Sequence, residues 1–270
     1  MTYALNESNV KPPSLINVLL EGRVAAEFGA YVAAMPVLLK APRGDGHPVL
    51  VLPGFMADDH STRPLRAFLN FKGYDARGWE LGRNMGKEAI NSVQGLSFRL
   101  MDRVKELADY HGRKVSLVGW SLGGIYAREL ARVMPDEVRL VVSLGSPFAY
   151  THLATNVTKV YELFNGDVAD LNLTLRQRLE MPPPVPSTAI FSRTDGVASW
   201  HSCYDRQNTL DEITENVEVE GSHIGLGHNP LAVWVIADRL AQAEGKWEKF
   251  DRSGLKGLLY RDPKRKGYLF

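Results

Sequence analysis

Cysteine is almost absent from this 270-residue chain. The single Cys203 excludes an intramolecular disulfide framework and any metal site built on several thiolates, and it points to a reducing compartment. Net charge is nearly absent too. The 32 Lys+Arg against 31 Asp+Glu leave +1, which gives no electrostatic basis for nucleic acid as a partner. Long hydrophobic runs are also lacking: in the apolar stretch 14–39 the longest uncharged run is 28–39, well short of the ~18 residues of a membrane-spanning helix. That stretch is expected to be a helix lying on the domain. The first residues show no basic segment followed by an apolar one, so no secretory signal is expected and the expected location is cytoplasmic. Neither a helix-opening Gly-x-Gly-x-x-Gly nor a P-loop occurs, and no organic cofactor or metal is expected.

What is present is an ordinary globular balance, 44% hydrophobic and 23% charged, with 24 glycines that provide for many tight turns. Short apolar runs alternate with helical periodicity, the pattern of a mainly parallel sheet covered by helices on both faces. Strands are expected at 48–52, near 74–79, and at 115–119, 139–144, 188–191 and 217–219. Helices are expected over 65–71, along the stripe Val93, Leu100, Val104 and Leu107, along Ile125, Leu130 and Val133, and over 231–241. The segment 149–186 departs from this alternation. Leu153, Val157, Val160, Tyr161 and Phe164 define one amphipathic helix, and Val168, Leu171, Leu175 and Leu179 a second; the Pro182–Pro186 run is too stiff to continue either. We expect a single domain, with residues 1–40 as an N-terminal helical extension, 149–186 as a cap insertion, and 246–270 as a basic tail.

The chemistry centres on Gly119-Trp120-Ser121-Leu122-Gly123. A Gly-x-Ser-x-Gly pattern arises by chance in about one chain in ten of this length, so its context matters more than the pattern. Here a predicted strand precedes it and a predicted helix follows, which puts Ser121 on a sharp, strained turn above the sheet's carboxyl edge. A hydroxyl nucleophile needs a base, and the base an orienting acid, in the chain order Ser, Asp, His on such a scaffold. Asp195 lies in a loop just past the strand ending at Phe191; Asp167, Asp170 and Asp205 fall in helical or cap-like contexts. For the base, the loop 221–228 offers His223 and His228. His223 sits nearer the strand end between small residues, whereas His228 precedes the helix start at Asn229-Pro230. Backbone N–H groups of Leu122 and of Phe55, the latter preferred to Met56, are the expected oxyanion donors. Trp120, Val160 and Leu171 are expected to touch the substrate.

Taken together, Leu-Pro-Gly-Phe (52–55), Gly-Trp-Ser-Leu-Gly-Gly (119–124), Gly-Ser-Pro (145–147), Ser-Arg-Thr-Asp-Gly (192–196) and Gly-Ser-His (221–223) resemble the α/β-hydrolase superfamily, closest to bacterial serine esterases and lipases. The resemblance runs from about residue 48 to 242. It departs in having Pro53-Gly54 where such enzymes carry His-Gly, which removes an imidazole but no backbone donor. It implies the α/β-hydrolase fold and hydrolysis of small acyl esters, short to medium in chain, through an acyl-enzyme on Ser121. An acyltransferase or thioesterase using the same triad is the first alternative, and a non-catalytic interaction protein on the same fold the second. The tail 246–270 holds eight Lys+Arg and three Asp+Glu. It is expected to wrap the domain as a solvated segment, with attraction to an anionic membrane surface as the alternative.

Overall fold

Strands that read as apolar throughout become interior strands buried on both faces, because in a parallel sheet helices cover both sides. A computed structural model describes residues 11–88, 97–149, 173–206 and 212–264. Its strands are β1 (Pro48–Leu52), β2 (Asp75–Gly78), β3 (Val115–Trp120), β4 (Val138–Leu144), β5 (Ser187–Phe191) and β6 (Thr214–Glu218). They form one all-parallel sheet in the order β2-β1-β3-β4-β5-β6. The chain starts at β1, steps outward to β2, then crosses back to β3 and continues the other way. The reversal therefore lies between β1 and β3, and the crevice at their carboxyl ends is where such sheets bind ligands.

Alternation along β1 sends Val49 and Val51 to one face and Leu50 and Leu52 to the other. On the first face they meet Leu65, Phe68 and Leu69 of α4 (Asp59–Phe71) and Val233 and Ile236 of α8 (Pro230–Leu240). On the second they meet Leu100, Val104 and Leu107 of α5 (Phe98–His111) and Tyr126 and Leu130 of α6 (Leu122–Val133). Each such fully buried side chain contributes on the order of 1.5–3 kcal/mol. Caps fix the helix ends. Asp58 accepts from the His60 N–H, Ser97 from Leu100 N–H, and Asn229 from the Leu231 and Ala232 N–H groups ahead of Pro230.

The structure corrects several expectations. The apolar stretch 14–39 is not one helix but three, α1 (Leu15–Leu20), α2 (Val24–Ala33) and α3 (Met35–Leu38), with a 3₁₀ turn at Glu21–Arg23. Only Tyr31, Leu38 and the carboxylate-bearing Glu21 are buried in these elements. Helix α4 begins at Asp59, six residues before the apolar stripe, because the cap and not the stripe sets its start. Strand β6 covers 214–218 and includes two glutamates. Of the segment 149–186, positions 150–172, with Leu153, Val157, Val160, Phe164, Asp167, Asp170 and Leu171, lie outside the described residues, as does Val93. Within the remainder, α7 (Leu173–Glu180) packs Leu179 with Ile125, Phe148 and Ala189. Among the described residues no helix is long and apolar enough to cross a membrane.

Candidate active site

Three glycines make the turn after β3 as tight as it is. A Cβ on Gly119 would strike the backbone of Gly123 and Gly124, one on Gly123 the carbonyls of Leu52 and Pro53, and one on Gly124 the Ser146 side chain. Strand β3, helix α6 and the end of β1 therefore approach at a distance only hydrogen allows. Between them Ser121 adopts φ 54°, ψ −121°, a conformation that costs a non-glycine residue about 1–3 kcal/mol. The Ser121 N–H is held by the Leu144 carbonyl at 2.8 Å. Ser121 is half-buried, and its hydroxyl makes no hydrogen bond among the described residues.

Asp195 and His223 come from the loops after β5 and β6. Asp195 is 2% exposed. One oxygen accepts from the Val197 and Ala198 N–H groups at 2.8 and 2.7 Å, and the other meets His223 Nδ1 at 2.6 Å. Three donors thus satisfy a buried carboxylate in place of water. Gly145, at φ 52°, lies directly against this pair: a Cβ there would stand 3.1 Å from both Asp195 Oδ2 and His223 Nδ1. Burial works against the His223 imidazolium, but the charge and hydrogen bond of Asp195, joined by Glu21, carry its pKa above the ordinary 6.5. With Nδ1 directed at Asp195, Nε2 is the nitrogen left for another group. The rivals are otherwise engaged. Asp205 is paired with the buried Arg128 at 3.1 Å, and His228 stacks edge-on against Phe28. Cys203 offers no competing nucleophile, since burial and then Asp195 push its thiol well up and keep it protonated.

The loop after β1 faces the serine: a Cβ on Gly54 would lie 3.2 Å from Ser121 Cβ and 3.9 Å from its hydroxyl oxygen. In this loop Met56 has φ 62° and its N–H is committed to the Asn84 carbonyl at 2.7 Å. Leu122 opens α6, where the first N–H groups have no intrahelical partner. Sequence reasoning missed the part played by Asn84. It is fully buried, its amide donates to the Pro53 carbonyl at 2.8 Å, and its Oδ1 accepts from Gly86 N–H and the Tyr126 hydroxyl. Asn84 pins the whole Pro53–Ala57 turn. The only signal in the sequence is its place between Gly82 and Gly86. Trp120, expected to touch the substrate, directs its indole N–H to the His223 carbonyl at 3.1 Å. Val160 and Leu171 lie outside the described residues.

A family model for the PGAP1-like alpha/beta domain matches residues 43–197, more than half of the chain. The chain belongs to the PGAP1-like alpha/beta domain family. The matched part of this PGAP1-like chain runs from β1 through Asp195, so it holds Ser121 and stops before His223. No curated protein sequence matches it. Among solved structures it is similar to the Bacillus licheniformis lipase BlEst2 in mature form, at TM-score 0.52 and 16% identity over 74% of this chain and 94% of that one. It is also similar to Aspergillus fumigatus lipase B, at TM-score 0.55 and 16% identity over 74% of this chain and 53% of that one. A third similar structure comes from the metagenome-derived lipolytic enzymes LipS and LipT, at TM-score 0.50 and 17% identity over 68% and 88%. At such identities the likeness is one of fold, and the fold is that of the α/β hydrolases.

Proposed function

We propose that this chain is a serine hydrolase of carboxylic esters. The observation that carries the reading is the strained Ser121, its hydroxyl without a hydrogen bond among the described residues, at the sheet's reversal point, beside the loops that bring Asp195 and His223 into a buried 2.6 Å contact. In this reading Ser121 Oγ attacks the ester carbonyl while His223 Nε2 takes its proton, and Asp195 fixes the tautomer and supports the imidazolium. The oxyanion faces the N–H groups of Leu122 and Phe55, each such donor worth about 2.7–4 kcal/mol in the transition state. The tetrahedral species then collapses, His223 returns the proton to the leaving alcohol oxygen, and an acyl ester remains on Ser121. Water attacks that ester with His223 again as base, releasing the carboxylic acid and restoring the hydroxyl.

The lipases similar in fold are consistent with ester substrates, and a short to medium acyl preference is proposed from the amphipathic sequence of 149–186. Hydrolysis of p-nitrophenyl esters from C2 to C16, run beside Ser121→Ala, tests the reading together with fluorophosphonate labelling of the folded chain. Turnover and labelling that both disappear in the variant support it. Turnover that survives in Ser121→Ala removes the serine from the mechanism.

A further inference from the structure

The N-terminal extension precedes the part of the chain that matches the family, yet it is bonded to both loops of the proposed triad. Glu21, in the turn between α1 and α2, is 9% exposed. One of its oxygens accepts from the N–H of Gly196, the residue after Asp195, at 2.7 Å, and from the N–H of His223 itself at 2.8 Å. The other accepts from the Ile224 N–H at 3.0 Å. Among the described residues Glu21 makes no ion pair, so backbone donors alone offset its desolvation. Neighbouring contacts repeat the pattern. Glu27 accepts from the Ser222 N–H at 2.7 Å and from the Ser222 hydroxyl, and Arg23 donates to Thr194 Oγ1 at 2.7 Å and its carbonyl at 3.2 Å. The approach is close enough that a Cβ on Gly196 would strike the Asn17 and Val18 backbone, and one on Gly225 the Glu27 carboxylate.

We infer that Glu21 is a positioning residue of the active centre: it clamps the Asp195 loop to the His223 loop and sets a second negative charge behind the imidazole. The inference rests on the triad reading above. A glutamate suits the task because both oxygens accept; a glutamine would turn a donor toward the Gly196 and His223 amides or toward that of Ile224. The groups facing His223 are Asp195 from the loop after β5 and Glu21 from the extension. Glu27 sits on the adjacent Ser222, Arg23 is drawn to Glu27 at 3.0 Å and to Thr194, and Cys203 lies beyond Asp195. Removing the Glu21 charge therefore withdraws support from the imidazolium and leaves Asp195 as its remaining anionic neighbour. This agrees with the upward push of Glu21 on His223.

The test is the Glu21→Gln variant of the full chain, with Glu21→Asp beside it, read by NMR titration of the His223 ring, by ester kinetics against pH, and by thermal unfolding. In Glu21→Gln the His223 pKa is expected to fall by about half a unit or more, moving the acid limb of kcat/KM to lower pH. The plateau kcat is expected to fall about tenfold or more, from lost charge and misplaced loops. Glu21→Asp keeps the charge but shortens the reach, so it should restore most of the His223 pKa while kcat stays low. A merely structural glutamate would lower the unfolding temperature and leave the His223 pKa in place. A folded Glu21→Gln with unchanged His223 pKa and unchanged kcat overturns the inference; if that variant does not fold, an unchanged kcat in Glu21→Asp does so. The NMR titration needs no turnover, so an inactive wild-type chain would refute the hydrolase reading while still measuring the coupling of Glu21 to His223.

Discussion

Strand β3 carries a serine near each end, and each belongs to a group containing a histidine and an aspartate. At the amino end, Ser116 Oγ lies 2.9 Å from His47 Nε2, and His47 Nδ1 lies 2.5 Å from Asp45. At the carboxyl end, Asp195 holds His223 at 2.6 Å, and Ser121 makes no side-chain hydrogen bond. By connectivity alone the first set is the more complete chain. Its surroundings decide otherwise. Ser116 and His47 are wholly buried, and Ser116 pairs with Val49 of β1 inside the strand, with no left-handed backbone and no helix start beside it. The electrostatics also run in opposite directions. Burial, followed by Arg139 and Arg113, pushes His47 below its ordinary pKa despite Asp45, whereas Asp195 and Glu21 outweigh burial and lift His223. The Asp45-His47-Ser116 chain is thus a structural polar network whose histidine and serine are buried. A half-buried serine, backbone strain and an adjoining helix start make the other set a candidate for chemistry.

The sharpest way to break this comparison is to exchange each serine for alanine. Ser121→Ala should lower kcat by at least about 10³-fold with the fold intact, since only binding and the oxyanion donors remain. Ser116→Ala should leave kcat within about twofold but cost about 1–3 kcal/mol of stability, because buried His47 Nε2 loses its partner. Paired ester kinetics and thermal unfolding read both. An inactive but fully folded Ser116→Ala would reverse the assignment of the two ends.

The histidines give the next largest contrast. His223→Ala should also lose about 10³-fold or more in kcat, while His228→Ala should lose no more than a few-fold and His47→Ala should act on unfolding temperature. Their pH signatures differ in sign. Hydrolysis needs neutral His223, whose folded pKa is raised, so kcat/KM should rise with pH with a midpoint above 6.5. The stability that His223 contributes is complete below its unfolded pKa and is lost as pH climbs through the folded one. His47 and His201 do the reverse. Burial lowers both, His201 to about 4 with help from Arg206 and Arg193. Below pH 6.5 the unfolded chain binds protons that these folded rings refuse, so stability should fall between pH 6.5 and about 4. Chemical denaturation across that range checks it; a chain more stable at pH 4.5 than at 7 would contradict this account.

Asn84 sharpens the comparison at the oxyanion loop. Asn84→Ala removes the donor to Pro53 and the acceptor for Gly86 and Tyr126, so the turn carrying Phe55 is released. We expect kcat to fall about tenfold with KM little changed, because the donor serves the transition state more than the bound ester. Stability should drop by about 1–3 kcal/mol. A rise in KM with kcat intact would make Asn84 part of substrate binding instead.

The parts legible in the sequence were those where one residue type admits one use. Strands β1, β3 and β4 were visible because two-sided burial demands unbroken apolar runs. The positions of Ser121, Asp195 and His223 beyond strand ends were visible because apolar runs and glycines mark where those strands stop. The start of strand β6 was missed because Glu215 looks solvated, although it is buried against Arg239 at 3.0 Å. Glu21 and Asn84 were not legible, because the bonds that tie them to the Asp195 and His223 loops and to Pro53 run to backbone groups far away in sequence. A glutamate in an apolar helical stretch reads as the wet face of that helix until the loops it holds are in place.

The smallest expected effect concerns chain length and is argued from sequence. Residues 149–186 carry more apolar positions than a surface loop needs and enter the chain after β4, next to the crevice at the sheet's carboxyl edge. A pocket drawing on them would gain about 0.8 kcal/mol per buried methylene, so kcat/KM should climb several-fold per two-carbon step until the pocket is full. Val160→Ala and Leu171→Ala remove two or three carbons each, which should move the preferred acyl length upward while acetate esters, too short to reach that surface, change less than twofold. The contrast between chain lengths within one variant is the measurement, because it cancels any loss of folded protein. If both variants scale every ester by the same factor, residues 149–186 act on stability alone, and acyl selection must fall to the residues around Trp120 and the Pro53–Ala57 turn.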